Sequence, residues 1–161
     1  MFIIIDDECT RYKFAAELPN KSYEAIVECL QLGWFRYFGP PKIFICDQEG
    51  ALAGDAFAHV CDKYHIDRWL AGSDPHHLGR GGKHTATGLA EKHIDLLKLS
   101  MLKMHADCIE QGIVATPSEI CSECMMGANV LLTYVGATPA TAVLGINPRE
   151  LSEFDRVRDL A

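Results

Sequence analysis

Alternating and helical hydrophobic patterns divide the chain into a strand pair, two helix–strand units and two long helices. An apolar run predicts a buried strand over residues 2–5, and alternation over 12–18 predicts a half-buried strand paired with it. A helix over 25–38, with Ser22 as N-cap and Gly39 ending it, precedes a buried strand over 42–46. The same reasoning predicts a helix over 55–64 and a strand over 66–71.

The second half of the chain is predicted to be mostly helical. Residues 72–85 hold five glycines or prolines and no periodicity, which predicts a loop. Residues 87–104 carry apolar side chains at alternating spacings of four and three, which indicates an amphipathic helix. Thr116, Pro117 and Glu119 form a capping box, and the helix that follows is predicted to end at Tyr134 or Val135. This order of elements is typical of a mixed-sheet α/β domain.

Composition and charge narrow the function classes. The chain has 161 residues, 48% of them hydrophobic, which suits one domain with a sizeable core. No apolar run is long enough to span a bilayer, and no basic segment precedes the first one, so we expect no membrane partner and no signal peptide. Seven cysteines, an odd number, favour reduced thiols in an intracellular protein. With a net charge of −7, contact with DNA needs a local basic patch, a basic neighbour or metal ions.

Three carboxylates occupy positions where an active site or a ligand-binding site could lie. Asp6 and Asp47 each follow a predicted strand, and ligands of open α/β sheets bind at the carboxyl ends of strands. Asp47 could equally cap a turn. Glu91 lies about 60° from the apolar stripe of the long helix, on its rim, where it could face a cleft. A solvated glutamate stabilised by the helix dipole explains the same position.

Two further motifs have an ordinary structural explanation as well. Arg80, Lys83 and His84 lie in the predicted loop and form the one basic cluster of an acidic chain, which could contact phosphates or simply be solvated. Cys121 and Cys124 form a lone C-x-x-C inside a predicted helix, where core thiols are a better interpretation than a redox or metal site.

Four segments together resemble the catalytic core of retroviral and copia-like retrotransposon integrases. They are IIIDDECTRYKFAAEL, WFRYFGPPKIFICDQEGAL, TGLAEKHIDLLK and ANVLLTYVGATPATAVLGINPRE. Each is weakly specific alone, but their order and spacing cover nearly the whole chain. The resemblance implies a ribonuclease H-like mixed sheet flanked by helices, with an integrase core-like domain over residues 1–150 and a tail over 151–161.

The resemblance also implies an activity, cofactors and partners. Integrases carry out metal-dependent phosphodiester cleavage and DNA strand transfer, with Mg²⁺ or Mn²⁺ held by acidic side chains. The matching positions here are Asp47 and Glu91, as catalytic and metal-binding residues. DNA contacts would come from side chains on the long helix and in the mobile loop before it, namely Lys92, Lys98, Arg80, Lys83 and His84. The same likeness implies that the partners are retroelement ends and target DNA, that the chain forms a homo-oligomer, and that it is located in the nucleus.

One departure from the family changes the expectation about activity. The family's first catalytic aspartate lies one strand before the segment that opens this chain, so the sequence resembles an N-terminally truncated core. Asp6 and Asp7 match a non-catalytic Asp-Asp pair of the family. Asp6 is therefore a catalytic candidate only as a substitute for the missing first aspartate. The absent strand is central in the family's sheet, so its neighbours must pair directly or leave a gap of roughly 9–10 Å. We therefore expect a catalytically incomplete core, or an inactive remnant that only binds nucleic acid or protein.

Overall fold

The computed structural model describes residues 1–47, 50–71 and 85–146, and the predicted tail over 151–161 lies outside them. The described residues form four strands and six α-helices, with a π-helical segment between the first two helices and a short 3₁₀ turn. In chain order they are β1 (Phe2–Asp6), β2 (Lys13–Glu17), α1 (Tyr23–Cys29), the π segment (Leu30–Phe35), α2 (Arg36–Phe38), β3 (Ile43–Cys46), the 3₁₀ turn (Gly50–Leu52), α3 (Asp55–Tyr64), β4 (Asp67–Leu70), α4 (Thr85–Glu110), α5 (Pro117–Leu131) and α6 (Pro139–Leu144).

The first two strands form the predicted antiparallel hairpin. Phe2 lies opposite Glu17 and Asp6 opposite Lys13. Asp7 closes the turn, because its carboxylate accepts hydrogen bonds from the backbone and hydroxyl of Thr10 at 2.7 and 2.5 Å. Asp7 therefore has a structural role in the turn, as aspartate often does.

The second strand pair is parallel, and it is not hydrogen-bonded to the first. Ile43 of β3 lies opposite Asp67 of β4, and Cys46 opposite Leu70. Among the described residues, the strands make two separate two-stranded sheets, and β1 and β3 do not pair. Direct pairing of β1 with β3, one of the two arrangements expected if the central strand is missing, therefore does not occur among the described residues.

The helix predicted over 25–38 is interrupted by a π-helical segment. Ser22 caps α1 by accepting a hydrogen bond from Ala25 at 3.2 Å, and Gly39 ends the helical run with φ of +75°, both as predicted. The π segment contains Gly33, whose backbone lies directly against the ring of Phe14 on β2. A β-carbon at Gly33 would clash with that ring, so the widened turn and the missing side chain together accommodate Phe14.

The long helices differ from prediction mainly at their ends. The helix α4 begins at Thr85 and continues to Glu110, six residues beyond the predicted end. The capping box at Thr116 and Glu119 is confirmed, but α5 ends at Leu131, before the predicted Tyr134. The short helix α6 was not predicted. The predicted loop is outside the described residues except for Thr85.

Two hydrophobic clusters cover opposite faces of the hairpin. Side chains of β1 alternate between them, so Ile3 and Ile5 join one cluster and Phe2 and Ile4 the other. The first cluster joins α1, the π segment and α3 to the residues that follow β2 and precede β4 (Leu18, Ile26, Leu30, Phe57, Val60, Cys61, Ile66). The second is built from α4 and α5 (Leu97, Cys121, Met125). No helix in the described ranges has the length and apolar content to cross a bilayer.

Candidate functional site

Asp47 lies where the sequence predicted it, directly after the buried end of β3. Cys46 closes the strand and is buried, while Asp47 is exposed and the next two residues are outside the described part of the chain. Because β3 and β4 are parallel, Asp47 stands at the carboxyl edge of their sheet. The position fits a residue that binds a ligand from solvent.

Glu91 lies on the exposed surface of α4, in its second turn. The prediction had placed it in the first turn, but α4 begins two residues earlier, at Thr85. A helix dipole acts mainly on the first turn, so the dipole is a weaker explanation for an acidic residue here. The side chain is exposed and available to a ligand.

Asp6, the third carboxylate, contacts two basic side chains instead of the other acids. One of its oxygens contacts Nδ1 of His93 on α4, and the other lies 3.8 Å from Nζ of Lys13 on β2. His93 and Lys13 are 8% and 5% exposed, so this is a buried polar contact between the hairpin and α4. The oxygen that faces Lys13 has no hydrogen-bond partner among the described residues.

Lys13 links the same network to α5. The side-chain amide of Asn129 accepts from the backbone N–H of Lys13 at 2.8 Å and donates to its carbonyl at 2.7 Å. The ammonium donates to the carbonyl of Arg11 at 2.9 Å and lies 5.4 Å from the ring centre of Tyr134. Burial lowers the pKa of Lys13 from its usual value, and the Asp6 charge opposes that shift. The network fixes the orientation of β2 against both long helices.

Sequence patterns predict little of this network. Asn129 lies within the apolar pattern of α5, and a buried amide on a helix is a recognisable signal for a tertiary hydrogen bond. No sequence motif marks His93 or Lys13 as a candidate site residue. Their pairing with Asp6 depends on contacts across 87 and 7 positions of sequence, which periodicity does not detect.

The three carboxylates do not form a common metal centre in the described residues. No group of three or more histidine, cysteine, aspartate or glutamate side chains in these ranges is close enough to hold a metal ion. Carboxylate oxygens are suitable ligands for Mg²⁺, so Asp47 and Glu91 fit the ion in chemical type. They do not fit in number, because a two-metal site requires further acidic ligands around ions roughly 3.5–4 Å apart.

The predicted DNA-binding residues are only partly described. Lys92 and Lys98 are exposed on α4, and Nζ of Lys98 lies 3.7 Å from the carboxylate of Asp95. Such an exposed pair contributes little to stability, but it offsets part of the positive charge. The predicted basic cluster of the loop, which comprises Arg80, Lys83 and His84, lies outside the described residues.

Comparison with known proteins identifies the fold. No protein-family model matches the chain, and no curated protein sequence does so either. Among solved structures, the BIV integrase catalytic core domain superposes with a TM-score of 0.68 at 15% identity, over 97% of this chain and 89% of that one. The HTLV-2 integrase catalytic core domain in complex with magnesium gives 0.66 at 17% identity, over 88% and 83%.

A third structure extends the likeness to a larger assembly. A chain of the simian T-cell lymphotropic virus intasome superposes with a TM-score of 0.69 at 19% identity, over 92% of this chain and 51% of that one. Sequence identities this low show that the backbone fold is shared, and they do not assign roles to individual residues. The chain has the ribonuclease H-like fold of a retroviral integrase catalytic core, and its described strands form two separate sheets.

Proposed function

We propose that this chain is an integrase core-like domain that acts in DNA integration in a retroelement or in a gene derived from one. The observation that supports the proposal is the coincidence of fold and acidic residues. The backbone superposes on an integrase core over 97% of its length. An exposed carboxylate follows β3 and another stands on α4, on the two elements where the sequence resemblance expects catalytic acids.

The chain by itself is proposed to be catalytically incomplete. Asp47 and Glu91 would bind one Mg²⁺ or Mn²⁺ ion. The partners of the domain would be retroelement ends and target DNA, and it would act in the nucleus. A third acid is required for two-metal chemistry, and Asp6 contacts His93 and Lys13 instead.

Metal binding tests the first half of the proposal. We expect Mn²⁺ titration, followed by the loss of its free-ion electron paramagnetic resonance signal, to reveal weak binding. Asp47→Asn or Glu91→Gln should weaken that binding about tenfold or more, which corresponds to about 1.4 kcal/mol. Asp95→Asn, an exposed control on the same helix, should leave it unchanged. Equal binding by wild type and Asp47→Asn would contradict the assignment.

A strand-transfer assay tests the second half of the proposal, namely that the chain is catalytically incomplete. With a model viral-end duplex and Mg²⁺ or Mn²⁺, we expect the chain to form no more product than its Asp47→Asn variant. Robust product that is lost in Asp47→Asn would refute incompleteness, and its loss in Asp6→Asn as well would give Asp6 the missing role. If the reading frame upstream of Met1 encodes a strand with an aspartate, adding that strand should restore activity.

A non-catalytic binding role is the second candidate. The buried contacts of Asp6 and the net charge of −7 favour it over full enzymatic activity. Filter binding of a DNA duplex in low salt distinguishes a DNA-binding role from a protein-binding role. An affinity that falls steeply with added salt indicates phosphate contacts, whereas absence of binding indicates a protein-interaction role.

A further inference from the structure

The strand β2 has one edge that β1 does not cover. Even-numbered residues of β2 make the hydrogen bonds of the hairpin, as the bond from the N–H of Asp7 to the C=O of Tyr12 shows. The N–H and C=O groups of Lys13, Ala15 and Glu17 therefore point away from β1. An uncovered strand edge presents main-chain groups that can pair with another extended chain.

Asn129 on α5 already occupies one end of this edge. Its side-chain amide accepts a hydrogen bond from the N–H of Lys13 at 2.8 Å and donates one to the C=O of the same residue at 2.7 Å. A residue of a neighbouring antiparallel strand exchanges the same two bonds with the residue opposite. The outward groups of Ala15 and Glu17 have no hydrogen-bond partner in the part of the chain that the structure describes. We call Ala15 and Glu17 the outer edge.

A groove of about 270 Å³ lies beside β2, between this strand and the helices α5 and α6. Its walls are mostly apolar (Phe14, Ala15, Met125, Met126, Val130, Ala140). Pockets that enclose a whole small molecule usually measure about 300–1,000 Å³, so this groove suits a single side chain better. Met126 is 41% exposed, and methionine adapts to apolar groups of different shape.

The side chains of the outer edge indicate what a partner strand must carry. Ala15 packs with the cluster of α4 and α5, and side chains two positions apart share a face, so Glu17 lies on the same side. Burial raises the pKa of Cys121, and interactions with Cys124 and Glu17 add to that shift, which places the exposed Glu17 carboxylate near α5. A partner strand therefore needs an apolar side chain beside Ala15 and a basic one beside Glu17.

We propose that the outer edge binds an extended peptide of a partner protein, in antiparallel orientation, with a basic residue two positions before an apolar one. Ala15 and Glu17 each exchange two main-chain bonds with it, and its apolar side chain enters the groove. A basic partner suits a chain with a net charge of −7. A second copy of the chain suits this edge less well, because it would bring two Glu17 carboxylates close together. The proposed metal and DNA contacts use neither residue, so the inference goes beyond the proposed function.

Nuclear magnetic resonance with a short synthetic peptide tests the proposal. The probe is acetyl-Thr-Lys-Thr-Leu-Thr-amide, added to isotope-labelled protein. The amide signals of Ala15 and Glu17 should shift most, with a dissociation constant of about 1 mM, because so short a peptide buries much less area than a standard interface. The same probe with an N-methyl group on its leucine should bind about tenfold more weakly, because the Ala15 carbonyl then loses its donor.

Three protein variants separate the contacts. Glu17→Lys should weaken binding about fivefold, and a probe with glutamate in place of lysine should restore it, because the facing charges are again opposite. Ala15→Pro should abolish detectable binding, because it removes the outward N–H. The hairpin does not use that N–H and proline is tolerated on strand edges, so circular dichroism should show a folded protein. Glu28→Lys is the matched control, since Glu28 is exposed on α1, on the other face of the hairpin, and it should leave binding unchanged.

Four outcomes would overturn the proposal. They are no shift of the Ala15 and Glu17 amides at millimolar probe, equal binding of the N-methylated probe, equal binding by Glu17→Lys and Glu28→Lys, and shifts of the same amides when the protein alone is concentrated. The last would mean that a second copy occupies the edge. The assay contains no metal or DNA, so its failure is separate from failure of the proposed function.

Discussion

Asp6 shows how a residue at a strand end can resemble a catalytic acid and have a structural role. Its carboxylate is shared between His93 on α4 and Lys13 on β2. Breaking a buried ionic contact leaves the other charge without compensation, which costs more than the contact contributes when intact. The role of Asp6 is therefore measurable through stability, without any assay of activity.

Asp6→Asn should lower the free energy of unfolding by about 3 kcal/mol, because Lys13 would remain buried without its counter-charge. Asp95→Asn is the matched control and should change it by no more than about 0.5 kcal/mol, since that pair is exposed. Urea unfolding without metal measures both. An unchanged or increased stability in Asp6→Asn would contradict the structural role.

The cysteines offer a second test at the residue scale. Burial raises the pKa of the Cys46 thiol to about 11 and also raises the pKa of Cys61 and Cys121, whereas Cys9 is exposed. The thiolate is the reactive form, so Cys9 should react much faster than these three thiols with a disulfide reagent at pH 8. Cys9→Ser should remove the fastest phase. A fast phase of the same size in Cys9→Ser would contradict the assignment of Cys9 as the most reactive thiol.

At the scale of elements, the sequence predicts what local chemistry determines. The hairpin follows from alternation, and Ser22, Gly39 and Thr116 fix helix ends through their own backbone contacts. The helix α6 shows the same signal, because Thr138 caps it and Pro139 begins it, and it could have been predicted.

The π segment could not be predicted in this way. Its cause is a contact between Gly33 and Phe14, which are distant in sequence, and a π segment of six residues is too short to reveal a changed periodicity. The apolar pattern from 25 to 38 is the same for either kind of helix. Only the three-dimensional packing of β2 against the helix distinguishes them.

Gly33→Ala should destabilise the protein by roughly 1–3 kcal/mol, because the added methyl group overlaps the Phe14 ring in a packed site. Gly127→Ala is the matched control. Gly127 lies inside α5 with open space around it, so alanine there should stabilise by roughly 0.5–1 kcal/mol. Thermal unfolding compares the two. Equal stabilisation by both substitutions would show that the π segment does not depend on a missing side chain.

At the scale of the whole molecule, side-chain packing holds the two sheets together without backbone bonds between them. Ile3 and Ile5 of β1 and Phe44 of β3 pack against the same cluster around Phe57. The described residues place no strand between these two edges. The fold class was predictable, because the motifs occur in order along the chain. The assembly of a site was not predictable, because it depends on which side chains of the two separate sheets lie close together.

The pairing pattern identifies which backbone groups of β1 and β3 are not bonded within their own sheet. Bonds from Asp7 to Tyr12 and from Leu18 to Met1 direct the odd-numbered residues of β1 toward β2. Phe2, Ile4 and Asp6 therefore point away from β2. On β3, the carbonyls of Lys42 and Cys46 bond to β4, so the backbones of Ile43 and Ile45 point away from it. These five residues form the two open edges.

Residue-resolved amide hydrogen exchange tests the open sheet most directly. The account predicts an alternating pattern, with fast exchange at Phe2, Ile4, Asp6, Ile43 and Ile45 and slow exchange at neighbours that bond within their own sheet, such as Ile3 and Phe44. Uniform strong protection along β1 and β3 would contradict it, because every amide of both strands would then have a partner and the central position would be closed.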